Sequence, residues 1–242
     1  MRAILLCAGR GSRLLPLTLE RPKCLVPVDG KAILDWQIEA FRAAGVSRFT
    51  VIGGFRIGDI AAHLETYPIP ERPELRENPF WSLTSSIASV WFAREWLNDP
   101  FCIANGDVVF GKDIVEHAIA GAREGMNLLV EQAPAHVDDM RVAIEGGRIR
   151  AIGKTLDARL AQYRSLGVLV APTGSTGYRA MMEEIVREDG GPGQFHHHIL
   201  HRLTSREPVH PVEVSERWAE IDTPGDIEGW TAAVHAGLPA GR

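Results

Sequence analysis

Three basic residues near the N-terminus could bind a polyanion. The loop Ala8–Arg13 (AGRGSR) contains two glycines and two arginines, and Lys23 follows further along the chain. Glycines allow backbone N–H groups to approach phosphates closely, and arginine binds phosphate through two parallel hydrogen bonds. The loop follows the apolar segment Ala3–Cys7, which is typical of a buried strand. On its spacing alone, Ala8–Arg13 fits an ordinary turn and a phosphate-binding loop about equally well.

The loop does not match two common nucleotide-binding fingerprints. It lacks the Gly-Lys-Ser/Thr ending of a P-loop, and Leu14 occupies the third glycine position of the dinucleotide pattern G-x-G-x-x-G. The second mismatch disfavours a nicotinamide-dependent oxidoreductase. Arg13 together with Lys23 instead favours a nucleoside triphosphate, because two cations beside a glycine loop suit several adjacent phosphates.

Two aspartates at the ends of predicted strands could hold a magnesium ion. Asp107 ends an Asn-Gly-Asp sequence after an apolar run, and Asp222 follows the short segment Trp218–Ile221. Each aspartate taken alone fits an ordinary turn or a helix entry. Magnesium prefers a few carboxylates together with substrate phosphates and water. The pair beside a phosphate-binding loop therefore predicts one Mg²⁺ site.

Consecutive histidines and scattered aromatic residues are weaker signals. His196–His198 cannot all face one site on a helix, and a zinc helix would need two histidines four residues apart with a glutamate. We therefore expect a helical lid or a rim position for them rather than a metal site. Trp81, Tyr163 and Trp218 lie near polar segments. Such aromatics are mostly core residues, but a few could form a cage for a quaternary ammonium group.

The elements that must position these residues alternate along the first half of the chain. The sequence predicts strands at Ala3–Cys7, Phe49–Ile52, Phe101–Ala104 and Asn127–Glu131, and helices at Ile33–Ala44, Ile57–Leu64, Thr84–Trp96 and Ile114–Arg123. This order predicts a mainly parallel sheet with helices on both faces. Ligands bind at the carboxyl ends of the strands in such sheets. Ala8–Arg13, Gly53-Gly54 and Asn105–Asp107 should therefore share one edge.

The pattern changes after Met140. Val142–Glu145 and Arg148–Ile152 flank a Gly-Gly turn and predict a β-hairpin. Thr223 and Pro224 predict the start of a last helix. We expect a Rossmann-like three-layer α/β sandwich with a mainly parallel, mixed central sheet and a small β-rich insert. It would form one domain over residues 1–236, in which the insert 139–171 contributes to an acceptor site, followed by a loose tail, Gly237–Arg242.

Composition excludes several classes of function. The chain has 242 residues and a net charge of −5, which gives no support for nucleic-acid binding. No apolar segment is long enough for membrane insertion, and Gly9, Arg10 and Arg13 interrupt the N-terminal apolar run, unlike a signal sequence. Three scattered cysteines fit buried thiols in a reducing compartment. We therefore expect a cytoplasmic protein; the sequence does not indicate its oligomeric state.

Three motifs together resemble the nucleoside triphosphate transferase family. Leu6–Arg13 (LCAGRGSR) followed by Pro22-Lys23 is similar to the family signature L-A-A-G-x-G-[ST]-R and P-K. The segment 103–110 (IANGDVVF) resembles the family's strand that ends in a metal-binding aspartate, and 218–226 (WAEIDTPGD) resembles its late motif W-x-E-I-D-T-P-x-D. This resemblance covers nearly the whole chain.

The stretch Asn78–Ser89 (NPFWSLTSSIAS) resembles small cytidylyltransferases acting on phosphocholine and related phosphorylated amines or alcohols. Sugar nucleotidylyltransferases usually carry a Gln-x-x-x-x-Gly-Thr-Ala stretch there. Ser85 stands where the cytidylyltransferases have asparagine, so contacts to base or substrate are expected to differ. Residues 152–156 (IGKTL) resemble their Gly-Lys segment.

The resemblance implies transfer of CMP from CTP to a small phosphorylated acceptor, with release of pyrophosphate and with Mg²⁺ as cofactor. A phosphomonoester is largely dianionic at neutral pH and needs no general base to attack. The implied catalytic residues are Arg13, Lys23 and Asp107. The implied nucleotide-binding residues are Leu6, Ala8, Gly9, Arg10, Gly11, Ser12, Arg13, Lys23, Gly53, Thr84, Ser85, Ser86 and Asp107. The implied acceptor-binding residues are Trp81, Lys154, Tyr163 and Trp218, and the implied metal ligands are Asp107 and Asp222.

Two alternative functions stay open at this point. One is a sugar-1-phosphate nucleotidylyltransferase using UTP or another NTP, which the stretch Asn78–Ser89 disfavours. The other is a non-catalytic nucleotide-sensing module, which has less use for both Asp107 and Asp222. The acceptor head group also stays open among phosphocholine, phosphoethanolamine, aminoethylphosphonate and similar compounds, and CTP over UTP rests on the resemblance alone.

Overall fold

The N-terminal apolar segment forms the strand β1 (Arg2–Cys7) in the interior of the main sheet. This is seen in a computed structural model that describes residues 1–133, 138–157 and 159–236. The expected loose tail, Gly237–Arg242, lies outside the described residues. β1 is hydrogen-bonded on both sides, to β4 (Arg48–Gly53) and to β6 (Phe101–Asn105), and both pairings are parallel.

The remaining strands extend this sheet or form two small antiparallel pairs. They are β2 (Pro27–Val28), β3 (Lys31–Ala32), β5 (Glu74–Glu77), β7 (Val108–Phe110), β8 (Met126–Gln132), β9 (Arg141–Glu145), β10 (Arg148–Gly153), β11 (Tyr163–Ala171), β12 (Val209–Glu213) and β13 (Trp218–Glu220). The helices are α1 (Ile33–Ala43), α2 (Ile57–Leu64), α3 (Ser86–Phe92), α4 (Lys112–Gly121), α5 (Thr176–Val186), α6 (His197–Leu203) and α7 (Pro224–His235).

The main sheet is mixed, with a parallel region at its centre. Its path runs β10-β9-β11-β6-β1-β4-β5, and β8 joins β11 to β12. The strand β11 is antiparallel to β6, β8 and β9. The predicted hairpin is therefore present as β9 and β10, and it continues the main sheet. The predicted fold class is confirmed.

Alternate residues of β1 enter two separate cores, because successive side chains of a strand point to opposite faces. Ala3 and Leu5 pack with the buried side chains of α1, α2 and α4, whereas Ile4 and Leu6 pack with those of α3, α5 and α6. This is the pattern of a strand covered by helices on both faces. The sheet and its two helical layers give the predicted three-layer arrangement.

The carboxyl ends of the three central parallel strands meet at one edge, as predicted. Leu6 of β1 pairs with Asn105 of β6, and Cys7 pairs with Gly53 of β4. The polar loops that leave β1 and β6 therefore start side by side. None of the helices in the described ranges has the length and apolarity that crossing a membrane requires.

The helix predicted at Thr84–Trp96 is shorter than expected. Side chains bond the backbone just before it: the Asn78 carboxamide oxygen accepts a hydrogen bond from the backbone N–H of Phe80, and the hydroxyl of Thr84, its first predicted residue, donates to the Phe80 carbonyl. Such local bonds favour turns over helix. The helix α3 accordingly begins at Ser86, and its last predicted turn, Arg94–Trp96, is a 3₁₀ helix.

Candidate active site

The glycine-rich loop wraps around the side chain of Lys23. Gly11 has a φ of +74°, and a Cβ added to it would lie 2.8 Å from the Lys23 Cβ, so a side chain would be strained and would collide. The Gly11 carbonyl accepts hydrogen bonds from the Leu14 N–H and from the buried hydroxyl of Thr18. These contacts fix the loop beside the lysine and direct its ammonium group toward the strand ends.

The Lys23 ammonium lies between the two predicted metal ligands. Its Nζ donates to Asp107 Oδ2 over 2.8 Å and to Asp222 Oδ1 over 2.6 Å. The second Asp222 oxygen forms an ion pair of 2.8 Å with Arg13 Nη2. The sequence-predicted Arg13, Lys23, Asp107 and Asp222 are therefore in direct contact, although they come from distant parts of the chain.

The charges of this cluster shift one another's protonation equilibria. Burial alone would lower the pKa of Lys23, but the adjacent Asp107 and Asp222 outweigh it and raise that pKa. Burial likewise opposes ionisation of Asp222, and Lys23 together with Arg13 nevertheless lowers its pKa. Both groups are charged at neutral pH, as a site for phosphates and a cation requires.

A third carboxylate completes an acidic cluster. Asp107, Glu220 and Asp222 each offer one oxygen, and these oxygens lie within 4.8 Å of one another. Glu220 borders solvent, but the cleft walls desolvate its carboxyl, and the charges of Asp107 and Asp222 add to this, so its pKa is raised to about 8. Asp107 Oδ1 is buried and has no hydrogen-bond partner in the described structure. Crowded carboxylates with an unused oxygen fit a hard divalent cation such as Mg²⁺.

The first turn of α7 positions Asp222. Asp226 accepts hydrogen bonds from the backbone N–H groups of Asp222 and Thr223, and Thr223 with Asp226 forms a capping box. The predicted helix start at Thr223-Pro224 is therefore present, and it fixes the backbone of a cluster residue.

A cavity of about 260 Å³ opens beside this cluster. The strand ends, the glycine loop and the start of α3 surround it. Its lining residues are Leu6, Cys7, Ala8, Gly9, Lys23, Cys24, Asn78, Trp81, Thr84, Ser85, Ser86, Ser89, Asn105, Gly106, Asp107 and Phe195. The cavity is thus bordered by the Lys23 side chain and by the hydroxyl and amide groups of Asn78, Thr84, Ser85, Ser86 and Ser89.

Comparison with known proteins decides the family. The family model described as the MobA-like NTP transferase domain matches residues 3–191, which is well over half of the chain. The chain belongs to this family. It is therefore a nucleotidyltransferase, and the family resemblance inferred from the sequence motifs is confirmed.

Similar proteins include cytidylyltransferases. A CTP:phosphoglutamine cytidylyltransferase of Campylobacter jejuni subsp. jejuni is 31% identical over 94% of this chain and 98% of its own length. The CTP:phosphocholine cytidylyltransferase structure from Streptococcus pneumoniae has a TM-score of 0.79 at 18% identity, covering 96% of this chain and 98% of that one. The inositol-1-phosphate CTP transferase structure from T. maritima has a TM-score of 0.78 at 20% identity, covering 99% and 98%. The two structures support the fold.

Most of the nucleotide-binding residues predicted for this nucleotidyltransferase border the cavity. Leu6, Ala8, Gly9, Lys23, Thr84, Ser85, Ser86 and Asp107 line it. Gly11, Ser12 and Arg13 continue the same loop, and the Arg10 guanidinium lies 5.4 Å from the centre of the Phe55 ring. Gly53 instead lies against Ile57, Ile60 and Leu75. Its neighbour Gly54 is the close-approach position, because a Cβ there would lie 2.8 Å from the Ala8 carbonyl oxygen.

The four predicted acceptor-binding residues lie in different surroundings. Trp81 lines the cavity, and the Lys154 ammonium lies 5.1 Å from the centre of the ring of Phe195, another lining residue. Tyr163 and Trp218 do not line it. The Tyr163 hydroxyl donates to Glu213, and the guanidinium of Arg164 covers the Trp218 ring at 4.7 Å.

The histidine run of the nucleotidyltransferase does not form the rim or lid that we expected. His196 and His197 are buried below the cavity, because the chain turns inward before α6. His196 Nε2 hydrogen-bonds Asn105 Oδ1 over 2.9 Å, and His197 Nε2 hydrogen-bonds Ser165 Oγ over 2.8 Å. His196 therefore bonds a residue that lines the cavity, His197 bonds the strand β11, and His198 is half-buried.

Sequence reasoning missed Glu220 as a residue of the site, and it gave no separate role to Asn78 or Asn105, although both stood in segments expected to border it. Glu220 stands two positions before Asp222, and the alternation of a strand could have placed it toward the same side. The strand-end argument did place Asn105 at this edge, as the first residue of Asn105–Asp107, but it did not predict what the side chain contacts. Asn78, which donates to Ser89 and Thr84, carries no such signal because its partners are set by the fold of a loop.

Proposed function

We propose that this nucleotidyltransferase transfers CMP from CTP to a small phosphorylated alcohol or amine and releases pyrophosphate. The observation that carries the proposal is the contact of Lys23 with Asp107 and Asp222 at the mouth of a glycine-bordered cavity. Two carboxylates can hold a metal ion, and the lysine beside them can bind a phosphate. A nucleotide-sensing module would not need this arrangement.

The chain's own residues position and neutralise two anions. In this proposal the backbone of Gly9–Arg13 binds the β- and γ-phosphates, and Arg13 stabilises pyrophosphate as it leaves. We propose that Lys23 lies beside the α-phosphate of bound CTP, where charge develops during transfer. The acceptor's phosphate oxygen attacks the α-phosphorus of CTP, and the bond to the β-phosphate bridging oxygen breaks. The dianionic acceptor needs no proton removed, so the reaction requires no general base.

A magnesium ion would be held by Asp107 and Asp222, with Glu220 as a third ligand that would release its proton when the ion binds. The unpartnered Asp107 Oδ1 and the crowding of these carboxylates support this assignment. When bound, the ion supplies positive charge that polarises the α-phosphoryl group. The chain's contribution is to fix the carboxylates, through β6, β13 and the first turn of α7.

The choice of CTP rests on two kinds of support. The wall formed by Asn78, Thr84, Ser85, Ser86 and Ser89 offers small polar groups to a base, and the stretch that contains them resembles small cytidylyltransferases. The Campylobacter jejuni relative, which matches along almost the whole of both chains, is a cytidylyltransferase by name.

We propose that the acceptor site has no aromatic cage for a quaternary ammonium group. Of the aromatics considered for such a cage, Trp218 has its ring covered by Arg164, which Glu131 holds through an ion pair of 2.6 Å. The protein's own cation thus takes the place that a choline group would need for a cation–π contact. This favours an acceptor such as phosphoglutamine, on which the Campylobacter jejuni relative acts by name, over phosphocholine.

The test is pyrophosphate release in a matrix of substrates. CTP, UTP and ATP are each combined with phosphoglutamine, phosphoethanolamine, phosphocholine and glucose 1-phosphate in the presence of Mg²⁺. We expect CTP to be required, and phosphoglutamine or phosphoethanolamine to exceed phosphocholine in kcat/KM. Turnover confined to UTP and glucose 1-phosphate would reject the proposal in favour of a sugar nucleotidylyltransferase. Asp107→Asn should abolish turnover, whereas Asp189→Asn, at an exposed position, serves as the matched control.

A further inference from the structure

We infer that Gln37 and His196 are positioning residues for the metal-binding aspartate Asp107. The inference rests on the proposed function, because it assigns these side chains a role at the proposed cation site. Neither residue lines the cavity or touches the acidic cluster. Both instead hold the segment Asn105–Val108, here called the aspartate turn, from opposite faces of the sheet.

Gln37 bonds the aspartate turn on both sides of Asp107. It projects from α1 and is fully buried. Its Nε2 donates to the Asn105 carbonyl over 2.6 Å and to the Val108 carbonyl over 2.8 Å. The two N–H bonds of one amide group are therefore used on the two carbonyls that flank Gly106 and Asp107. This fixes the separation of the two ends of the turn.

His196 holds the same turn from the other helical layer. Its Nε2 donates to the Asn105 carboxamide oxygen over 2.9 Å, and its backbone N–H donates to the Ser86 hydroxyl. The Asn105 side chain occupies a recess at Gly167, whose φ is +71° and where a Cβ would lie 2.5 Å from Asn105 Nδ2. Burial lowers the pKa of His196 to about 4, so the ring is neutral and donates through one nitrogen.

Both side chains leave a polar atom unsatisfied. Gln37 Oε1 and His196 Nδ1 are buried and have no hydrogen-bond partner in the part of the chain that the structure describes. A buried hydrogen-bond acceptor without a partner is unfavourable. Methionine at position 37 or leucine at position 196 would fill similar space without burying such an acceptor. Each side chain therefore leaves one polar atom unsatisfied while it bonds the aspartate turn, and these bonds fix Asp107.

The backbone of the turn is held at further points that agree with this role. The Gly106 N–H donates to the Leu6 carbonyl, and the Ile221 N–H donates to the Asp107 carbonyl over 2.8 Å. The second bond ties the turn to the strand that carries Glu220 and leads to Asp222. With Gln37 and His196 in place, the carboxylate of Asp107 is directed at Lys23 and at the cation site. Outer partners of metal ligands typically change metal affinity by about 10- to 100-fold when removed.

The test measures Mn²⁺ binding by electron paramagnetic resonance, without nucleotide or acceptor. Gln37→Met removes both donors at similar volume, and we expect it to weaken Mn²⁺ binding by about 10-fold or more and to lower kcat more than it raises KM for CTP. Asn127→Leu is the matched control. Asn127 is also fully buried and bonds a turn through its amide, to Arg123, Gly125 and Val170, but on β8 away from the cluster. It should lower stability and leave Mn²⁺ affinity unchanged.

A second pair of variants guards against misfolding of Gln37→Met. His196→Leu should weaken Mn²⁺ binding, and His196→Gln, which can donate to Asn105 from a similar position, should restore most of it. Equal Mn²⁺ affinity in wild type, Gln37→Met and His196→Leu would overturn the inference, and so would absence of Mn²⁺ binding by the wild-type protein. If the affinities follow the expected order but no substrate pair releases pyrophosphate, the proposed function fails and the positioning role stands.

Discussion

Lys23 is the residue on which the site depends most directly. Its side chain is 11% exposed and contacts two carboxylates that lie 84 and 199 positions away in the chain. A cation in this position both separates the carboxylates and attracts a phosphate. In the proposed reaction its effect therefore combines electrostatic stabilisation with the arrangement of Asp107 and Asp222.

Replacing Lys23 by methionine should preserve the fold and reduce turnover. The methionine keeps the apolar stem against Gly11 but removes the charge, and loss of one such stabilising group costs about 10²- to 10³-fold in kcat. Steady-state pyrophosphate release measures the effect, and circular dichroism checks folding. Lys31→Met, which removes a surface cation paired with Glu39, should leave kcat unchanged. A folded Lys23→Met enzyme with wild-type kcat would remove Lys23 from the mechanism.

At the residue scale, the sequence predicted the charged residues of the site better than those that hold them. Lys23, Asp107 and Asp222 stand in motifs whose residue types match their chemistry. Gln37 carries no such signal, because a glutamine on an amphipathic helix is usually exposed and only the position of the aspartate turn makes it useful. Trp218 is the opposite case: its residue type suggested an acceptor contact, but it does not line the cavity. The covering of its ring by Arg164 depends on the pairing of β11 with its neighbours, which the sequence does not show.

At the scale of elements, the start of α6 is distinctive because two neutral histidines are buried there. The rings of His196 and His197 are 4.3 Å apart. Burial lowers the pKa of both, and the neighbouring His196 and Lys154 lower that of His197 further. The loop before α6 is therefore tied to β6 and β11 by groups that must stay uncharged.

This burial predicts a loss of stability in mild acid. The pKa of His196 falls from 6.5 to about 4 on folding, so between these pH values the unfolded chain binds a proton that the folded chain does not. The free energy of unfolding therefore has its full value above pH 6.5. It falls by at most about 3 kcal/mol as the pH falls toward 4. Urea unfolding of wild type and His196→Gln at several pH values measures it. Parallel pH curves for the two proteins would contradict a buried neutral His196.

Sequence periodicity predicted the central strands and helices, but it did not predict where the helix α3 begins. The strands β1, β4 and β6 are continuous apolar runs ending in glycine or Asn-Gly-Asp, so both their existence and their shared edge follow from the pattern. The residues before α3 could not be predicted in the same way. Asn78 and Thr84 take backbone partners there through their side chains, and this competition depends on the local conformation rather than on hydrophobic spacing.

At the scale of the molecule, the site joins the two ends of the described chain. The N-terminal loop supplies Arg13 and Lys23, and the segment leading into α7 supplies Glu220 and Asp222. A ligand that bridges these groups must stabilise the whole fold, because unfolding separates them. Because the net charge is −5, the proposed polyanionic nucleotide would be held by this local group of cations and a metal ion rather than by the overall charge.

We therefore expect Mg²⁺ and CTP together to raise the melting temperature, and each alone to raise it less. A ligand at 100 times its Kd contributes about 2.7 kcal/mol, which for a protein of this size corresponds to a shift of roughly 5–10 °C. Differential scanning fluorimetry with CTP, with and without EDTA, measures it. The Asp107→Asn protein should stay folded without ligand but should lose the part of the rise in melting temperature that is due to Mg²⁺. An equal shift with EDTA present would mean that the nucleotide binds without the cation, and the role given to the three carboxylates would then be wrong.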